Sequence, residues 1–293
     1  MSYRLARLPG GREVGMTGLG DSAGHHLAVF FHPTPGASGF DPDPSVTDRS
    51  GVHVIGFDRP GYGSTPPADV SVAEWVDEVA AWVRSTEAGA DAATQTQYGR
   101  IHAIGWREGG IYAAALADRH PEILDAVALV GVPTPERAAR GAEGDAVGGN
   151  GLPGAAGAGG AAGAGGAVGA GGAAGALAEP LGYRDRLQRM LDDASTQGDI
   201  GVRNDRAAFA DPALKPPRIE LPTLILYGAA DPYATVSDAQ WYASQMSRAH
   251  VERVEGGADM IARQWERVLA FLRDPEASEA GAAEGGRTAA TRR

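Results

Sequence analysis

The sequence predicts an α/β fold, a mostly parallel central sheet flanked by helices. Short apolar runs rich in β-formers, each bounded by Gly, Pro or Asp, alternate along the chain with stretches of helical apolar spacing. The size agrees: 293 residues, 43% of them hydrophobic, suffice for one domain with a full core and an insertion.

Strands are expected at residues 27–32, 52–57, 101–105, 126–130, 223–227 and 251–255, with an edge strand at 13–18. Between them the spacing predicts helices at 72–84, 109–119, 237–246 and 262–272. Ser71 stands where the first of these needs an N-cap. Residues 181–210 supply one or two further helices. Residues 141–178 are almost entirely Gly and Ala, with too few apolar side chains to fold by burial, and read as a flexible insertion. Residues 276–293 are small, polar and charged, the composition of a disordered tail.

Composition excludes several classes of function. A formal net charge of −11 repels nucleic acid and anionic lipid surfaces. The chain has no cysteine, so disulfides, thiolate catalysis and Cys-based metal sites are absent. No metal site or cofactor is expected. Residues 1–12 carry scattered arginines and no continuous apolar run, and no later stretch is apolar for long enough to span a membrane. The expectation is a soluble cytoplasmic protein without nucleic-acid or membrane partners.

Residues 101–115 read IHAIGWREGGIYAAA: a short strand, a Gly-bracketed turn, then a helix of small residues. A strained strand-to-helix turn with an active residue at its tip needs small residues two before and two after the tip. Gly105 and Gly109 satisfy this around Arg107. Centring Glu108 instead would put Trp106 at a position that demands a small residue. Alone, the segment describes a plain strand-to-helix turn equally well.

Two more segments accompany it. Residues 30–36 read FFHPTPG and residues 57–64 read FDRPGYGS, each directly after an apolar strand. Together with the turn and the order of strands, these motifs resemble the α/β-hydrolase superfamily, specifically its HGxPG oxyanion loop and DRPGYGxS turn. The resemblance covers nearly the whole chain outside 141–178 and the tail. It implies an α/β-hydrolase fold with a short cap, divided as core at 1–132, cap region at 133–215 including the Gly/Ala insertion, core again at 216–275, and tail at 276–293.

The same resemblance assigns the site. The nucleophile's place, the elbow tip, is held by Arg107, whose guanidinium stays protonated and cannot attack an acyl group. In residues 224–232, LILYGAADP, Asp231 matches the triad carboxylate; an Asp there also serves as a turn or helix cap. In residues 255–260, EGGADM, the histidine's place holds Asp259. His25, His26, His32, His53, His102, His120 and His250 all fall in other elements. The two oxyanion amides would be those of Thr34 and Glu108, with Pro33 in place of the usual glycine. His32 would brace that loop. His32 and Trp106 are the pocket candidates, Trp106 either lining a ligand site or packing under the cap.

With nucleophile and base both replaced, hydrolysis by the triad route is expected to be lost. An Arg between two Asp suggests an Asp231–Arg107–Asp259 cluster that plugs the old pocket, since a buried charge needs a partner. The function expected is that of a non-hydrolytic pseudoenzyme, a binding or regulatory module for a small molecule or a protein partner. The alternative is a non-hydrolytic enzyme, a lyase, cyclase or isomerase, with a carboxylate base and Arg107 steadying an enolate. A serine hydrolase with an atypical nucleophile, Ser38 or Ser64, comes last because neither sits on an elbow.

Overall fold

The computed structural model describes residues 2–85, 99–141 and 179–276. The Gly/Ala-rich stretch after Gly141 and the tail after Glu276 lie outside the described residues, so the flexible insertion and disordered tail expected there are not addressed.

Eight strands form one sheet: β1 (Ser2–Arg7), β2 (Glu13–Leu19), β3 (His26–Phe31), β4 (Val52–Phe57), β5 (Arg100–Trp106), β6 (Ala126–Val130), β7 (Thr223–Gly228) and β8 (Ala249–Val254). Their order is β1-β2-β4-β3-β5-β6-β7-β8. β1 and β2 pair antiparallel, β2 pairs antiparallel with β4, and every later pairing is parallel. The strand expected at 13–18 is present but is not the edge. β1 holds that place, and its sequence, SYRLAR, is exposed along nearly its whole length, so no buried face marked it as a strand.

The helices are α1 (Pro44–Arg49), α2 (Val72–Arg84), α3 (Gly109–Arg119), α4 (Pro135–Arg140), α5 (Tyr183–Ala194), α6 (Ile200–Phe209), α7 (Val236–Ala243), α8 (Met260–Arg263) and α9 (Trp265–Arg273). Ser71 does cap α2: its hydroxyl accepts the Glu74 amide at 3.2 Å while Glu74 accepts the Ser71 amide at 2.9 Å, a reciprocal capping box. The helix expected at 262–272 is broken instead at Gln264, whose φ of −105° and ψ of 6° leave the α region. α1 and α4 were not anticipated; each starts with a proline in its first turn, the fixed φ that suits a helix start.

Alternate strand residues feed two cores. On one face Leu27, Val29, Ala103, Leu129 and Ile225 pack against Trp75, Val76 and Val79 of α2 and Ile111 and Leu116 of α3. On the other, Ala28, Phe30, Ile104, Ala128 and Leu226 pack against Trp265, Val268 and Leu272 of α9 and Leu187 and Met190 of α5. Strands buried on both faces read as continuous apolar runs, which is why their sequences were legible. Each fully buried large side chain contributes about 1.5–3 kcal/mol relative to exposure.

Candidate active site

β5 runs into a sharp turn before α3, and the turn needs its glycines. A Cβ on Gly105 would stand 2.3 Å from the Gly110 Cα, and one on Gly109 would stand 2.0 Å from the Phe31 carbonyl oxygen. At the tip, Arg107 adopts φ 51°, the one positive φ of a non-glycine residue among the described residues. That conformation costs an L-residue roughly 1–2 kcal/mol. Glu108 next to it is ordinary αR at φ −59°, so the strained tip is Arg107.

The Arg107 side chain is buried and turns to the loop after β7. Its Nη1 donates to Asp231 Oδ2 at 3.1 Å, both side chains being 1% exposed, and its guanidinium lies 4.7 Å above the Tyr233 ring. Asp231 also caps its own turn, Oδ1 accepting the amides of Tyr233 at 2.9 Å and Ala234 at 3.1 Å. The two roles considered for Asp231, partner at the elbow and turn cap, are thus filled by its two oxygens.

Asp259 departs from the expected cluster. Its Oδ2 accepts Arg263 Nε at 2.6 Å and its Oδ1 accepts the Gly257 amide at 3.2 Å. Arg263 is four residues on, one helical turn away, and the Asp259 side chain keeps 18% exposure. Burial works against the Asp259 charge, but Arg263 and the Gly257 amide outweigh it and hold its pKa below the usual carboxylate value. The buried pair is therefore Arg107–Asp231, and Asp259 pairs with Arg263.

Glu108 turns its carboxylate to the loop after β3. The Thr34 amide donates to Glu108 Oε2 at 3.1 Å, and the Tyr233 hydroxyl bonds the same carboxylate. Thr34 and Glu108, the two residues expected to offer oxyanion amides, do meet, but through the Glu108 side chain, which accepts the Thr34 amide. Burial and Glu108 together push the Tyr233 phenol well up, so it remains a donor.

His32 and Trp106 are each 0% exposed, so no water-sized space touches either. His32 Nδ1 lies 2.8 Å from the Pro33 carbonyl oxygen, and its Nε2 accepts the Arg59 amide at 3.4 Å. Burial, then the nearby Arg59 charge, hold its pKa well below the usual value, and it braces the loop as a neutral ring. Trp106 stacks on Phe40 at 5.1 Å, and Phe40 meets Tyr183 of α5 edge-on at 5.9 Å, so Trp106 packs under the inserted helix rather than lining a ligand site.

Ser38 is buried with its hydroxyl 3.0 Å from that of Thr17, and Ser64 donates its amide to Asp58 at 3.4 Å. Both line a recess of about 250 Å³ with Tyr3, Asp58 and Asp193, without an imidazole. His120 bonds Asp77, His250 bonds Glu252, and His26 and His102 bond each other. No group of three potential metal ligands occurs among the described residues.

A second buried cluster adjoins the elbow, formed by Arg59, Tyr62, Tyr112 and Asp205. Arg59 was in view as part of the 57–64 motif. Asp205 lies 146 residues from it in the sequence, within the polar run Arg203–Arg206 of α6, and nothing local marks it.

No family model matches the sequence, and no curated protein matches it. Solved structures do. The enol-lactonase from Burkholderia xenovorans LB400 superposes with a TM-score of 0.64 at 18% identity, covering 92% of this chain and 98% of its own. A bromoperoxidase from Bacillus anthracis gives 0.62 at 15%, covering 93% and 100%. A protein from Nakamurella multipartita described as having the alpha/beta hydrolase fold gives 0.55 at 17%, covering 93% and 99%. With an eight-stranded, mostly parallel sheet flanked by helices and an elbow between β5 and α3, the chain has the α/β-hydrolase fold.

Proposed function

We propose that this protein is catalytically inert toward esters and related acyl substrates, and that it serves as a binding or regulatory module for a small molecule or a protein partner. The observation that carries this is the filled elbow: a buried Arg107–Asp231 ion pair where a nucleophile would stand, with Glu108 on the Thr34 amide. A guanidinium has no nucleophilic electron pair at working pH, and an occupied amide stabilises no oxyanion. The lactonase and bromoperoxidase activities named for the structural neighbours are therefore not carried over to this chain.

A lyase, cyclase or isomerase would need a carboxylate base that reaches substrate with a raised pKa. Glu108 and Asp231 are buried in existing contacts, and Asp259 is held low beside Arg263. These observations favour binding over turnover. No helix among the described residues is long and apolar enough to cross a membrane. A cytoplasmic setting is part of the proposal, in keeping with the absence of cysteine.

The test is hydrolysis of a short-chain aryl ester by the native protein and by an Arg107→Ser, Asp259→His double variant. The native protein is expected to match the buffer rate. Native turnover well above buffer sinks the proposal.

A further inference from the structure

The cluster beside the elbow is unusual in its chemistry, because every group in its wall is a donor aimed at one point. Arg59 Nε and Nη2 reach Asp205 Oδ1 and Oδ2 at 3.0 and 2.6 Å, a bidentate pair. The hydroxyls of Thr34 and Tyr62 reach Oδ2 at 2.5 and 2.9 Å, and that of Tyr112 reaches Oδ1 at 2.8 Å. Five donated bonds saturate a carboxylate. Thr34 Oγ1 also accepts Arg59 Nη2 at 3.0 Å, but without Asp205 the Arg59 Nε–H and the Tyr62 and Tyr112 hydroxyls would each lose a buried carboxylate acceptor, so the wall is complementary to a planar two-oxygen anion.

The wall is also preorganised. Arg59 Nη1 donates to the His32 carbonyl at 2.7 Å and Nη2 to the Pro33 carbonyl at 3.0 Å, which fixes the fork independently of Asp205. Its guanidinium sits 5.3 Å from the Tyr62 ring and 4.8 Å from the Tyr112 ring. Burial, then the Asp205 charge, keep both phenols well above their usual pKa. They stay protonated donors. Asp205 is also set apart from its wall: the wall comes from the loops after β3 and β4 and from α3, while Asp205 rides on α6 in the segment between β6 and β7. Most of the remaining α6 side chains are half-buried or exposed.

We propose that Arg59, Thr34, Tyr62 and Tyr112 form a carboxylate-binding site whose resident ligand is Asp205, and that a small monocarboxylate exchanges with Asp205 and frees α6. This rests on the reading of the protein as a binding module, for which it names the ligand class. The exchange leaves Arg59 paired before and after, so no buried charge is orphaned. Because Asp205 competes from within the chain at high effective concentration, the free carboxylate acts at millimolar levels or above.

Asp205→Gly removes the CH2–COO⁻ group, and acetate replaces it atom for atom. Acetate is expected to raise the melting temperature of this variant by several degrees, in a dose-dependent way, while chloride at equal ionic strength and acetamide leave it unchanged. Adding Arg59→Met abolishes the response. In the native protein, acetate is expected to speed amide hydrogen exchange across residues 200–209 relative to chloride, a readout that holds even where the variant does not fold. Absence of an acetate-specific shift in a folded Asp205→Gly variant overturns the site, and unchanged exchange in the native protein overturns the displacement of α6. Ester hydrolysis by the native protein would instead refute the inert-module reading and leave both of these readouts interpretable.

Discussion

Arg107 pairs with Asp231 at 3.1 Å and lies over the Tyr233 ring, both contacts made where its side chain is buried. Removing one partner of a buried ion pair typically costs about 3–5 kcal/mol, since the other charge remains in a low-dielectric site. Arg107→Met is therefore expected to lower stability by that order in chemical denaturation. Adding Asp231→Asn should recover part of the loss. The amide oxygen of asparagine still accepts the Tyr233 and Ala234 amides, and the orphaned charge is gone. A double variant less stable than Arg107→Met would mean that the pair is not what holds the tip. Glu108 supports a second prediction. Placing serine and histidine at 107 and 259 leaves the Thr34 amide occupied, so that double variant should stay near the buffer rate. Adding Glu108→Ala frees the donor, which is worth roughly 10²-fold in turnover where oxyanion amides have been removed or restored. Equal rates with and without Glu108→Ala would show that Glu108 is no obstacle.

The turn between β5 and α3 tests the same site at the level of the element. Gly109→Ala places a methyl 2.0 Å from the Phe31 carbonyl oxygen and 2.5 Å from that of His32, both backbone atoms that cannot step aside. It is expected to abolish soluble folded protein. Gly10→Ala, with nothing within 4 Å, should melt like the native chain; equal behaviour of the two would refute the close approach of α3 to β3. This turn also shows what the sequence discloses and what it withholds. Gly105 and Gly109 were readable because steric exclusion acts at fixed spacing along the chain, and strands such as β4 and β6 were readable because burial on both faces leaves an uninterrupted apolar run. β1 was missed for lack of a buried face. Partner choice was less legible: Arg107 with Asp231 and Asp259 with Arg263 are decided by distances in the fold, and i to i+4 proximity on α8 won over the longer reach to Arg107. The Arg59–Asp205 cluster was invisible for the same reason, its members being brought together only by the docking of α6.

At the scale of the whole molecule, both ends of the sheet enclose neutral imidazoles. His32 lies past the C-terminal end of β3, while at the opposite end His26 Nδ1 and His102 Nε2 stand 3.1 Å apart with stacked rings 5.4 Å between centroids. Burial lowers the pKa of His26, aided by Arg100, and brings that of His102 down to about 3, aided by His26. His32 is held low by burial and Arg59. In the unfolded chain each titrates near 6.5, so below that pH the unfolded state binds protons that the folded state refuses. Stability must then fall as pH drops from about 6.5, by roughly 1.4 kcal/mol per pH unit for each proton excluded. Asp205, whose pKa is also lowered, adds a loss in the same direction only below its unfolded value of 3.8. Between about 6.5 and 4.5 the loss of stability therefore comes from the histidines, while Asp41 and Asp193, whose pKa values burial raises, act in the opposite direction. His102→Gln keeps a hydrogen-bonding partner for His26 and removes one titrating group. Its denaturation free energy should vary with pH less steeply than that of the native protein, by close to one proton's slope across this window. Parallel pH profiles for the two proteins would mean that His102 is not held neutral in the fold.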